Sequence, residues 1–145
     1  MEIHVPKNDN DIQVLVVDDE LNIREGSQRI LSRDGFDVLT ASTGLEALDL
    51  LDSQIIPIIL LDLKMPGMDG MEALKRIRQL DETILVIVIT GFATVETAIE
   101  AMKQGAYDFI PKPFEPEQLR IVVNRAAEKL RITRDEHQLA LERNQ

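Results

Sequence analysis

Short β-branched apolar runs alternate along the chain with longer stretches in which apolar residues recur every three or four positions, which predicts strands and helices in turn. The first run, residues 14–17, sits between polar neighbours and ends in Asp18, Asp19 and Glu20. Ile23, Ser27, Ile30 and Leu31 then share one helical face, and Gly35 offers a left-handed stop. Residues 36–41 alternate like a strand, and Ser42 or Thr43 can cap the helix carrying Ala47, Leu48 and Leu51.

The pattern then repeats. Pro57 precedes the run IILL, which suits a strand covered on both faces and stops at Asp62, followed by the loop LKMPGMDG. Met71, Leu74 and Ile77 mark a third helix, and residues 84–89 a fourth strand ending at Thr90. Val95, Ala98, Ile99 and Met102 mark a fourth helix closed by Gly105. Residues 107–110 form the fifth strand, and beyond Pro111-Lys112-Pro113 a fifth helix starts near Pro116, with Leu119, Val122, Val123, Ala126 and Leu130 on its packing side.

Five strands alternating with five helices imply an α/β fold. Parallel neighbours need crossover connections, which are nearly always right-handed, so the expectation is a doubly wound five-stranded parallel sheet of order 2-1-3-4-5. Ligands bind such sheets outside the carboxyl ends of the strands, where the winding reverses.

Composition narrows the function. A hydrophobic share of 44% supports one well-packed core, and the scattered Pro and Gly residues punctuate a compact chain. The formal charge is −10, which argues against a broad nucleic-acid footprint. With no Cys, and His4 and His137 as the only imidazoles, neither disulfides nor a thiolate metal site is expected. The start, MEIHVPKNDND, lacks a basic region followed by an apolar stretch, and no segment approaches the roughly 20 apolar residues of a membrane span, so the cytoplasm is the expected address.

The chemistry collects at one edge. Asp18 and Asp19 end strand one, Asp62 ends strand three, Thr90 ends strand four, and Lys112 follows strand five. Each Asp alone could serve as a helix cap, and Thr90 or Lys112 alone could be an ordinary surface residue. Together, three carboxylates would repel one another unless they surround a hard cation, and oxygen ligands suit Mg2+ better than zinc. Mg2+ also accepts phosphate oxygens, so this edge reads as a phosphate-handling site. Pro66, Gly67 and Gly70 shape the loop after Asp62.

The successive segments VLVVDDE, IILLDLKMPGMDG, VIVITG and DFIPKPF resemble, in order and spacing, the signatures of response-regulator receiver domains of two-component systems. The resemblance spans residues 12–125 and is closest to receivers of nitrogen-regulation type, which often precede the ATPase module of an enhancer-binding activator. It implies a flavodoxin-like receiver fold and a phosphoacceptor switch. Asp62 would be the nucleophile toward a phosphohistidine of a sensor histidine kinase or phosphotransfer protein. Asp19 would ligate Mg2+ directly, Asp18 would hold it through water or help position it, and the backbone carbonyl of Lys64 would complete the ligands. Lys112 would add positive charge, Thr90 would read the phosphoryl group, and Phe109 would be the switching aromatic. The Lys112–Pro113 bond is cis in this motif. Lys64 and Phe92 occupy two variable positions that govern water access to the acyl phosphate, and Phe92 is expected to shield it partly.

This outline divides the chain into a polar leader (1–11), the receiver (12–125) and a helical extension or linker (126–145). One helix over 116–145 would be roughly 45 Å long, more than the core can cover. Its thin apolar seam, with Ile132 and Leu139 one heptad apart, suggests a signalling helix or coiled-coil dimer. A homodimer through helix four, strand five, helix five or this extension is the expected assembly. No GxxxxGK[ST] loop or helix-turn-helix follows, so ATP hydrolysis and DNA binding are not expected of this chain. Three rival functions fit these residues less well. An aspartyl-nucleophile phosphohydrolase wants a second acid where Lys64 stands, and a flavin carrier wants a Ser, Thr and Gly-rich loop where DDELN stands. A phosphorylation-independent scaffold leaves the complete acidic, Thr and Lys set without a purpose.

Overall fold

The computed structural model describes residues 12–143. The polar leader and His4 lie outside the described residues. Five strands alternate with five helices: β1 (Gln13–Val17), α1 (Leu21–Arg33), β2 (Asp37–Ala41), α2 (Gly44–Ser53), β3 (Ile58–Asp62), α3 (Gly70–Leu80), β4 (Leu85–Thr90), α4 (Val95–Lys103), β5 (Asp108–Pro111) and α5 (Pro116–Arg143). All strand pairs are parallel and the sheet order is β2-β1-β3-β4-β5, as the alternation requires.

The uninterrupted apolar runs are explained by burial on both faces of the sheet. Ile58 and Leu60 of β3 point to one side, where they join Leu31 of α1 and Leu119, Val123, Ala126 and Ala127 of α5. Ile59 and Leu61 point to the other, meeting Ala47 of α2, Ala73, Leu74 and Ile77 of α3 and Ala101 of α4. Each such leucine or isoleucine removed from water stabilises the fold by about 1.5–3 kcal/mol.

Local signals set the helix ends. Thr43, rather than Ser42, caps α2 by accepting the Glu46 N–H, while the Glu46 carboxylate reaches back to the Ser42 N–H at 3.1 Å. Thr94 caps α4 in the same way through the Thr97 N–H at 3.0 Å. After α1 and α4 the chain turns at Gly35 and Gly105, with φ of 92° and 97°.

One element differs from the sequence outline. The residues that mark α4 are not the ones it buries: Val95 is 77% exposed, and Ile99 and Met102 are half exposed, while the small Ala101 packs into the core. Periodicity counts apolar positions, whereas the sheet meets only the face that can approach closely. In α5 the expected packing side, Leu119, Val122, Val123, Ala126 and Leu130, lies against the core, joined by Ala127. From Ile132 to Leu139 every residue of the helix is exposed. Among the described residues, no helix is long and apolar enough to cross a membrane.

Candidate functional site

Register brings the polar strand ends together. Val17 pairs with Leu61, Asp62 with Ile89 and Thr90 with Pro111, so the residues that end β1, β3, β4 and β5 share one edge of the sheet. The Lys112 N–H donates to the Thr90 carbonyl at 2.9 Å, which ties the lysine backbone to the end of β4. The Lys112–Pro113 peptide is cis, as the motif led us to expect.

The Lys112 ammonium is the hub. Its Nζ lies 2.6 Å from Asp18 Oδ2, 3.2 Å from Asp62 Oδ2 and 3.4 Å from Glu20 Oε2. Asp18 is fully buried, and Asp62 is only 4% exposed. Burial pushes the Asp18 carboxyl above the usual carboxylate range, further than the Lys112 ammonium and the Glu20 N–H pull it down. For Lys112, burial pushes the ammonium down, but the contacts with Asp18 and Asp62 outweigh it and leave the group above the usual lysine range.

Carboxylate oxygens of Asp18, Asp19 and Asp62 all lie within 4.8 Å of one another. Asp18 Oδ1 accepts the Glu20 N–H at 2.9 Å, and Arg24 donates to the Asp18 carbonyl at 2.9 Å. Among the described residues Asp18 Oδ2 has no well-directed hydrogen bond, and it forms the ion pair to Lys112. Asp19 is exposed at the rim. Asp62 Oδ1 accepts the Lys64 N–H at 3.1 Å, so one oxygen is held by the loop while the other faces Lys112.

The loop after Asp62 depends on two glycines. Gly67, next to the exposed Pro66, has φ of 87°. Gly70 opens α3 against the end of β3, where an added Cβ would lie 2.6 Å from the Asp62 carbonyl oxygen and collide with the Leu63 backbone. Its N–H donates to the Leu63 carbonyl at 3.1 Å, so the close approach is part of the turn that presents Asp62.

Thr90 is fully buried, and its hydroxyl accepts the Phe92 N–H at 3.1 Å. Phe92 is 54% exposed, and Lys64 Nζ stands 3.6 Å from its ring centroid. Asp19, Glu20, Asp62, Lys64, Gly91, Phe92 and Lys112 line a cleft of about 270 Å³ at this edge. Phe109 lies apart from it, half-buried against the core on the α2, α3 and α4 side of the sheet. Tyr107 packs on the opposite side, near the Lys129 ammonium.

The structure thus gathers Asp19, Asp62, Lys64, Phe92 and Lys112 around one cleft, with Asp18 buried against Lys112 and Thr90 buried at the end of β4. It adds Glu20, whose side chain reaches Lys112; its place beside two acids at a strand end was the available signal. His137 lies on the exposed part of α5, away from the cluster.

The family model for the response regulator receiver domain matches residues 14–124. The Regulatory protein AtoC of Escherichia coli (strain K12) is 40% identical over 114 residues, covering 79% of this chain and 25% of that protein. Sporulation initiation phosphotransferase F of Bacillus subtilis (strain 168) is 35% identical over 113 residues, covering 78% of this chain and 91% of that protein. Among solved structures, NtrX from Brucella abortus in complex with ADP superposes with a TM-score of 0.82 at 35% identity, covering 89% of this chain and 30% of that one. The chain therefore spans about a quarter of the first of these relatives and most of the second. On its matched signatures, its sheet order and its acidic edge, the chain belongs to the response regulator receiver domain family of two-component signal transduction.

Proposed function

We propose that Asp62 accepts a phosphoryl group from a sensor histidine kinase or a phosphotransfer protein. One observation carries this reading: Asp62 meets Lys112 at 3.2 Å inside a cleft where two further carboxylates lie within 4.8 Å. An Asp62 oxygen attacks the phosphorus of a phosphohistidine. The O–P bond forms as the P–N bond breaks, the electron pair leaves with the imidazole, and the product is an acyl phosphate. Lys112 then turns from the carboxylate to the charge on the phosphoryl oxygens.

The donor set fits a hard divalent cation: three carboxylates, neither imidazole nor thiolate among them, and a buried Asp18 Oδ2 without a directed hydrogen bond. Asp18, Asp19, Asp62 and the Lys64 backbone carbonyl are the proposed Mg2+ ligands. When bound, the ion supplies positive charge that offsets repulsion between the Asp62 carboxylate and the incoming phosphoryl group.

Thr90 is the proposed reader. Its hydroxyl swings from the Phe92 N–H to a phosphoryl oxygen, pulls the loop after β4 toward Asp62, and makes room for Phe109 to turn inward. Output passes to the exposed apolar stripe of Phe92, Val95, Ile99 and Met102, which supports homodimer contact or partner docking along α4, β5 and α5. The receiver occupies residues 12–125. Residues 126–145 extend it toward the output module of a longer cytoplasmic transcription regulator or receiver-bearing kinase. The domain turns over no substrate beyond self-phosphorylation and slow hydrolysis.

The test is intact mass measurement after incubation with a small phosphodonor and Mg2+. Wild type gains one phosphoryl group and Asp62→Asn gains none. Equal adducts on both proteins would sink the assignment.

A further inference from the structure

Lys64 and Phe92 come from different loops, one after β3 and one after β4, and their side chains meet across the cleft that holds Asp62. The Lys64 backbone is anchored on the acceptor, since its N–H donates to Asp62 Oδ1 at 3.1 Å. Its ammonium nevertheless pairs with no carboxylate among the described residues and rests 3.6 Å from the Phe92 ring centroid. Three of the nearby carboxylates, those of Asp18, Asp62 and Glu20, are already served by Lys112, which lies nearest Asp18.

A phosphoryl group on Asp62 changes this balance. It adds negative charge to a cleft whose one committed cation is divided among three carboxylates, and its oxygens demand further donors. The ring quadrupole holds an exposed ammonium weakly, whereas a charge-assisted contact to a phosphoryl oxygen is strong. Among the described residues Lys64 is a cation without a carboxylate partner whose backbone is bonded to Asp62 itself.

We propose that Lys64 is a second phosphoryl-binding cation, kept in reserve on the Phe92 ring and handed to the phosphoryl group when Asp62 is modified. The inference rests on Asp62 being the acceptor. In the resting state the ring holds the ammonium at the mouth of the cleft. In the modified state Lys64 turns inward, and Phe92, at the head of the apolar stripe on α4, is released. The two side chains therefore act in opposite senses on phosphoryl affinity: Lys64 favours it, and Phe92 opposes it by competing for Lys64.

The experiment uses beryllium fluoride with Mg2+ as a phosphoryl mimic on the 145-residue chain. Adduct affinity is measured alongside the NMR signals of the Lys64 ε-methylene. In wild type these protons lose the upfield ring-current displacement when the adduct forms. Lys64→Ala weakens the mimic on the order of fivefold, and Lys64→Arg restores most of that loss. Phe92→Ala tightens it about twofold to fivefold, the size of an exposed cation–π contact, and has no such effect in the Lys64→Ala background. An adduct in which Lys64 keeps its ring-current displacement overturns the handover alone, as does a Phe92→Ala variant with unchanged or weaker affinity. Absence of any wild-type adduct overturns the acceptor reading and the handover with it.

Discussion

Lys112 Nζ stands 2.6 Å from Asp18 Oδ2, joining the loop after the last strand to the end of the first. Asp18 is fully buried, so this ammonium is what makes a carboxylate tolerable there. The pair sets the resting charge of the cleft and holds Lys112 beside Asp62.

Removing the cation should therefore cost more than a surface contact. Lys112→Met is expected to lower unfolding free energy at pH 7 without Mg2+ by about 3 kcal/mol, because it strands a buried carboxylate. Adding Asp18→Asn to that variant should recover much of the loss. Urea unfolding of the two variants measures both effects, and a Lys112→Met protein as stable as wild type would remove the hub from the account.

At Gly70 the prediction concerns space. A methyl group there meets the Asp62 carbonyl and the Leu63 backbone, neither of which can move without displacing Asp62. Gly70→Ala should cost about 1–3 kcal/mol and weaken phosphorylation of Asp62 as the loop shifts. Denaturation midpoints and phosphoryl incorporation should fall together; normal values for both would show that the loop relaxes freely.

Acid sensitivity should report on the clasp between α5 and α1. The Arg120 guanidinium hydrogen-bonded to Asp34 at 3.1 Å holds its carboxyl below the usual range, and Asn124 adds a bond at 2.9 Å. A depressed carboxyl contributes stability above its unfolded pKa of about 3.9 and loses it as pH falls through the folded value. Asp34→Asn should destabilise the protein by about 0.5–1 kcal/mol at pH 7, with the difference from wild type vanishing in strong acid. A constant difference down to acid pH would assign the effect to packing instead.

The exposed end of α5 should be dispensable for folding. Ending the chain after Arg131 is expected to change stability by less than about 0.5 kcal/mol, since residues 132–139 are all exposed. A larger loss in thermal unfolding would show that the extension belongs to the domain.

Thr90→Ala separates chemistry from readout. Phosphoryl incorporation at Asp62 should persist, while the change in the Phe109 ring signals on modification is lost. If those signals still move in the variant, Thr90 is not the reader.

Much of this protein was legible in its residues because strand burial, helix periodicity and turn chemistry are local and repeat along the chain. The runs VLVV, IILL and VIVI required a sheet covered on both sides, and Asp18, Asp62 and Thr90 each lay just after such a run, with Lys112 just after the last strand. Strand order and the shared edge followed, because parallel crossovers leave few alternatives. Other features depended on which surfaces meet in space. That Ala101 rather than Ile99 packs beneath α4, that Glu20 joins Lys112, and that the Lys64 ammonium lies on the Phe92 ring were decided by packing between segments distant in sequence. Periodicity assigns a residue to a face of its own element, and only the assembled fold determines what that face touches.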